Sequence, residues 1–152
     1  MLRVKAHARV YALFLISTTL LFIGVGCLPK ARLILPDGTV IHPAIAKTEH
    51  VQRVGLSGVD DVKDGMLFCF SEARVQKFWM LDMHVPLDFI WLDGDDVKGF
   101  ASDVPIREGG DWARRQSPEP VYAVLELPAG WISAHAIEMA SSLPGAARAC
   151  SR

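Results

Sequence analysis

Asp82, His84 and Asp88 fall within seven residues, directly after Phe78-Trp79-Met80. Two carboxylates and an imidazole are donors enough for a divalent metal ion, or for a general base. Asp82 and His84 bracket Met83, so they share a face only if the segment is extended, and Pro86 favours a bend there. Such groupings recur in turns, where polar side chains cap backbone amides, and that plainer use is preferred for this candidate polar cluster. Asp93, Asp95 and Asp96 lack the alternating order and distal Glu of a calcium loop, and read as a solvated hairpin turn. His135 and Glu138 stand at i,i+3 and would form a surface pair on a helix.

Gly55-Leu56-Ser57-Gly58 falls one residue short of a nucleophile elbow and lacks its strand–turn–helix context. There is no phosphate-binding Gly-Lys loop and no dinucleotide fingerprint, so no cofactor is implied. Of the four tryptophans, Trp79 and Trp112 are the candidate binding aromatics. Trp112 stands beside Arg114 and Arg115 in a polar stretch.

The chain has 152 residues, 51% apolar and 22% charged, which suits one globular domain and excludes collagen-like, low-complexity and disordered classes. Its net charge is −1. Arg3, Lys5 and Arg9 precede a segment without charge from Val10 to Pro29, so the body that follows is acidic, with thirteen Lys/Arg against seventeen Asp/Glu. An acidic body has no electrostatic footprint for nucleic acid.

A positive head, an apolar run of roughly 20 residues and a return to Lys30 and Arg32 is the plan of a secretory signal, and it is also long enough to stay as a membrane span. Ile23-Gly24-Val25-Gly26-Cys27 is similar to a bacterial lipobox, although Gly24 stands where Leu is usual. Cys27 is thus a candidate lipidation site. Lipidation after cleavage, an uncleaved anchor and release all remain open, and each places the body outside the cytoplasm. Residues 1–27 are read as signal or anchor, 28–32 as a linker, 33–145 as the domain and 146–152 as a tail. Cys69 and Cys150 would then lie where disulfides are permitted. Spacing does not fix their separation, and the expected state is a buried core thiol at Cys69 and a loose terminal one at Cys150, with a bridge as the alternative.

These groups must be positioned by a β-rich body. Leu33-Ile34-Leu35 and Thr39-Val40-Ile41 flank a Pro-Asp-Gly turn. Thr48 can cap a helix from Glu49 to Leu56. Strands are expected at Met66–Phe70, Val75–Met80, Leu87–Leu92, Val97–Ala101 and Val121–Leu127. In the third of these, Leu87, Phe89 and Trp91 share one face and Asp88, Ile90 and Leu92 the other. In the last, Val121, Ala123, Leu125 and Leu127 point inward and Tyr122, Val124 and Glu126 outward. Residues 107–120 read as a surface loop, and Pro128 as the first turn of a helix holding Trp131 and Ile132. The sum is a mainly β chain, a β-sandwich or jelly-roll-like barrel with one or two short helices behind an N-terminal hydrophobic helix.

Five segments carry a resemblance: Gln52 to Gly58, Asp64-Gly65-Met66-Leu67-Phe68, Phe78-Trp79-Met80, Pro86 to Ile90, and Val124-Leu125-Glu126-Leu127-Pro128-Ala129-Gly130-Trp131. In this order they resemble the DUF192 (UPF0127) family over residues 33 to 143. The resemblance implies a compact, mostly β, jelly-roll-like fold, often exported, with no established activity. Leu81-Asp82-Met83 replaces the family's Lys-Asn-Thr, so an amide becomes a carboxylate that only accepts. His135-Ala136-Ile137-Glu138-Met139-Ala140-Ser141 replaces His-Gly-Ile-x-x-Gly-Asp. Because alanine is strained where φ is positive, a longer helix is expected there.

The expected role is a non-catalytic binding or accessory module on the extracytoplasmic side of a bacterial cell envelope. It would meet the membrane through its N-terminus, and an envelope protein or small ligand through its body. The alternative is a small hydrolase or metal-dependent enzyme using Asp82, His84 and Asp88.

Overall fold

Strand Leu87-Asp88-Phe89-Ile90-Trp91-Leu92 is buried at every residue, on both faces. A strand that is apolar on both sides must lie in the middle of a layer covered twice. In the computed structural model, which describes residues 28–151, it does. It is β6 (Leu87–Asp93) in a five-stranded sheet with β3 (Ala44–Ala46), β4 (Met66–Arg74), β11 (Val121–Pro128) and β7 (Asp96–Val104), in the order β3-β4-β11-β6-β7. The β3–β4 pair is parallel and the rest antiparallel.

The sheet separates two apolar clusters. The first holds Leu67, Ile90, Leu92, Ala123, Leu125 and Leu127 from the sheet. The hairpin of β1 (Leu33–Ile34) and β2 (Val40–Ile41), the short helix α2 (Trp131–Ala134) and residues 137–146 cover it. Met66, Phe68, Leu87, Phe89, Trp91 and Val124 make up the second, beneath α1 (Glu49–Val54), Leu56, Met80 and Met83. Thr48 caps α1 by accepting from Val51 N–H at 3.3 Å.

Among the described residues the chain is mainly β with few short helices, and the sheets do not close into a barrel: three two-stranded ribbons accompany the five-stranded sheet. Both faces of the central strands are apolar, and small ribbons and helices cover them. One ribbon pairs β5 (Lys77–Trp79) with β10 (Arg114–Gln116), and another pairs β8 (Arg107–Glu108) with β9 (Asp111–Trp112). Within residues 107–120, expected as a surface loop, residues 107–108, 111–112 and 114–116 are therefore paired strand, which polar composition without periodicity had concealed. Pro128 ends β11 instead of opening a helix, and Gly130 caps α2.

Three further expectations change. Residues 135–141 form turns, not a long helix, with Ala136 (φ 52°) and Ala140 (φ 62°) in the left-handed region, at the two positions where the resemblance would place glycine. Residues 29–31 and 146–151 belong to the packed body. Ile45 N–H donates to Pro29 C=O at 2.8 Å, Ala31 N–H donates to Pro43 C=O at 2.9 Å, and α3 (Ala146–Ser151) buries Ala146. Cys69 and Cys150 are joined in a disulfide with their Cα atoms 5.2 Å apart, in place of the two thiols expected. The expected signal or anchor, with Cys27, lies outside the described residues. Among those described, no helix is long and apolar enough to cross a membrane.

Candidate functional site

The polar cluster read from sequence is not brought together. Asp82 is exposed, with φ 55°, and its carbonyl accepts from Gly58 N–H at 2.9 Å. The His84 ring pairs at 2.7 Å with Asp60, from a different loop, and not with Asp82. Asp88 is wholly buried on β6. Its two oxygens accept from Asp103 N–H at 2.7 Å and Ile132 N–H at 2.8 Å. It thereby caps α2, whose N-terminal residue Gly130 has no side chain to do so. Both oxygens are committed to structure. Among the described residues, no three His, Cys, Asp or Glu side chains are grouped as for a metal ion.

The other expected pairs also rearrange. His135 bonds Asp37 at 2.7 Å instead of meeting Glu138. The Asp37 carboxyl is held below its usual range by the Thr39 backbone N–H first, and by the His135 ring after it. Asp95, in the expected hairpin turn, accepts from Ala147 N–H at 2.8 Å and so fastens α3. Ser57 Oγ donates to Leu81 C=O at 3.1 Å and so ties two loops together.

Glu126 is the candidate site residue that sequence alternation missed. It was expected to point to solvent, yet it is 5% exposed. On β11 it lies between Met66 of β4 and Phe89 of β6, so its face of the sheet is the second, aromatic one. Gly65 fixes the backbone there: a Cβ at Gly65 would stand 1.8 Å from Glu126 C=O, and its φ of +78° favours glycine.

Among the described residues no side chain or backbone group hydrogen-bonds the Glu126 carboxyl, yet no fully enclosed polar atom lacks a partner. The carboxyl therefore reaches the small pocket that Glu126 lines, of about 170 Å³, together with Gln52, Ser57, Phe68, Phe78 and Trp79. Burial pushes its pKa up to about 8, because the charged form is poorly solvated there. At neutral pH it is mostly a neutral acid, able to donate through O–H and accept through C=O.

The walls are aromatic and held rigidly. Phe68 meets Phe78 edge-on with ring centroids 5.0 Å apart, and Phe78 packs in turn on Phe89 and Trp91. Gln52 Nε2 donates to Cys69 C=O at 2.7 Å and Ala46 C=O at 3.2 Å, which pins α1 over the sheet. Trp79, 57% exposed, stands at the mouth. Trp112 is less open, with the Arg107 guanidinium stacked 4.0 Å from its ring centre. The signal that finds Glu126 is the pairing: Met66 and Phe89, opposite it on the two neighbouring strands, are large, apolar and buried, so the side chain between them shares a covered face.

Comparison with known proteins places the fold. A protein of unknown function from Novosphingobium aromaticivorans superimposes with a TM-score of 0.65 at 22% identity, covering 75% of this chain and 82% of its own. That likeness speaks for the fold alone. A protein from Sinorhizobium meliloti, described as a candidate transcription regulator, superimposes with a TM-score of 0.66 at 30% identity, covering 78% of this chain and 93% of its own. No curated protein matches the sequence. The family model DUF192, described as an uncharacterized ACR, matches residues 33–144. With the glycine-supported Glu126 segment and the Phe78-Trp79-Met80 ribbon both inside that span, the chain belongs to the DUF192 family.

Proposed function

We propose that this protein is a non-catalytic binding module of a bacterial cell envelope, tethered to a membrane through its N-terminus. Its ligand is a small neutral group, such as a carboxamide on an apolar body, held in the Glu126 pocket. One observation carries the reading: an unpartnered carboxyl, 5% exposed, that opens only to an aromatic pocket. A buried acid without a partner is costly to fold, and its spare bonding capacity is what a ligand would satisfy. A neutral acid complements an amide edge, donor to acceptor and acceptor to donor. About 170 Å³ is well under the roughly 300–1,000 Å³ of drug-sized sites, so one side chain or a fragment fills it.

The Cys69–Cys150 bridge suits an oxidising compartment, which supports export, as does the cationic head before an apolar run. Transcription regulation, the role named for the S. meliloti protein, is not favoured here, because an acidic body has no electrostatic footprint for nucleic acid.

The test is an NMR titration of the full chain in detergent with benzamide. We expect shifts confined to Gln52, Phe78 and the Trp79 indole at pH 6, lost at pH 9.5 as Glu126 ionises. Glu126→Gln should bind at both pH values, because it keeps a donor and an acceptor, and Glu126→Leu at neither. Binding that ignores both pH and Glu126→Leu would refute the site. For the tether, the membrane fraction should keep the protein at high salt, since a hydrophobic hold is not screened.

A further inference from the structure

We infer that a second depression, on the opposite cover of the sheet, is a binding site for the phosphate of an anionic phospholipid headgroup. It measures about 550 Å³ and is lined by Lys30, Arg32, Lys47 and Arg148 with Ile45 and Gly145 among its apolar and backbone walls. None of its lining residues is acidic. That is unusual in a body with an excess of carboxylates. Elsewhere four of the five described arginines are matched, Arg53 with Glu49, Arg74 with Glu72, Arg114 with Asp111 and Arg115 with Glu108, and the fifth, Arg107, stacks on Trp112. Lys30, Arg32 and Arg148 have no carboxylate within ion-pair distance among the described residues. Three cations facing one depression without counter-charge repel one another, and an anion relieves that.

The frame that gathers them is ordered. The backbone of Lys30 bridges to Ala44. Gly145 lies so close to Arg32 C=O that a Cβ would stand 2.1 Å from it, and Ile34 N–H donates to Pro144 C=O at 3.2 Å. Arg148 rides on α3, which the disulfide fastens to β4, and Lys47 Nζ donates to Cys150 C=O at 2.9 Å. The bridge thus builds one wall of the site.

The phosphate source follows from chain reach. Lys30 stands three residues beyond Cys27 and Arg32 five, so at no more than about 3.5 Å per residue both lie within roughly 10–18 Å of the tether point. That is the headgroup layer, at one to two Debye lengths. This assignment of source rests on the membrane tether proposed above; the phosphate chemistry does not.

The full chain is reconstituted in discs of phosphatidylcholine alone, and of an equal mixture with phosphatidylglycerol, and amide hydrogen exchange is followed. Slower exchange across residues 29–34 and 144–149 is expected in the anionic discs only, weakening at high salt. Arg32→Gln with Arg148→Gln should remove it, at about fivefold in affinity per charge, with the melting temperature kept as the check on folding. Cys150→Ser should weaken it, while Lys98→Gln, outside the depression, should not. Equal exchange in both discs overturns the proposal. Protection by soluble glycerol phosphate in phosphatidylcholine discs, without an anionic-lipid effect, overturns the headgroup in favour of a free phosphate ester. Sedimentation at high salt reads the tether separately. A protein that leaves phosphatidylcholine discs there, yet is still protected by anionic ones, defeats the tether and keeps the site.

Discussion

Asp88 and Glu126 occupy adjacent strands of one sheet, one residue apart in register, and point to opposite faces. Each is buried. On the first face Asp88 has two backbone amides to accept from, and the Cys69–Cys150 bridge and the Asp95 contact with α3 lock the cover down. On the second face Glu126 has an aromatic wall, a small opening and no partner. The two carboxyls have the same chemistry and similar depth. What separates a structural carboxyl from a candidate functional one is whether the fold has spent its hydrogen bonds.

Breaking the first face gives the largest expected effect. Asp88→Ala leaves the amides of Asp103 and Ile132 buried without acceptors and should cost about 2–4 kcal/mol of stability by urea unfolding. Asp88→Asn, which keeps one acceptor, should cost less. An alanine variant as stable as the wild type would mean that water replaces the carboxylate, and the contrast between faces would fail.

The second face should respond with the opposite sign. With a folded pKa of about 8 against an ordinary 4.5, Glu126 holds its proton more tightly when folded. Its contribution is therefore complete below about pH 4.5, and is lost as pH rises through 8. Glu126→Gln should leave stability near pH 5 little changed and raise it above pH 8 by on the order of 2–4 kcal/mol. Parallel pH–stability curves for the two proteins would show that the carboxyl is solvated after all.

The smallest effect sharpens the comparison within the first face. Ala136 and Ala140 carry positive φ beside buried Ile137. Ala136→Gly and Ala140→Gly should each stabilise by up to about 1 kcal/mol, the left-handed strain relieved less the entropy glycine adds to the unfolded chain. A loss on either change would mean that the alanine methyl packs usefully.

Much of the fold was legible because it is local. The Pro36-Asp37-Gly38 turn, the Thr48 cap, the alternation of Leu87 to Leu92 and the Gly94-Asp95 hairpin follow from residue types at short range. The ribbons at residues 107–116 were not legible, because their strands are two or three residues long and carry no period. Nor was the turn around Ala136 to Ala140, where tertiary packing overrides an unfavourable backbone.

The site divides the same way. Residue order alone marked Asp82, His84 and Asp88, yet three polar residues in a row of seven scatter once a strand and a loop carry them to different sides. Their partners, Asp60, Asp103 and Ile132, stand 15 to 44 positions away. By itself the sequence determined the β-rich body, its acidic charge, the cationic and apolar N-terminus and family membership through five ordered segments. Only the tertiary structure decided that both faces of the sheet are covered, because covering depends on elements distant in the chain. That double covering turned Glu126 from a presumed solvent-facing residue into a buried acid, joined Cys69 to Cys150 across 81 residues, and gathered Lys30, Arg32, Lys47 and Arg148 around one depression.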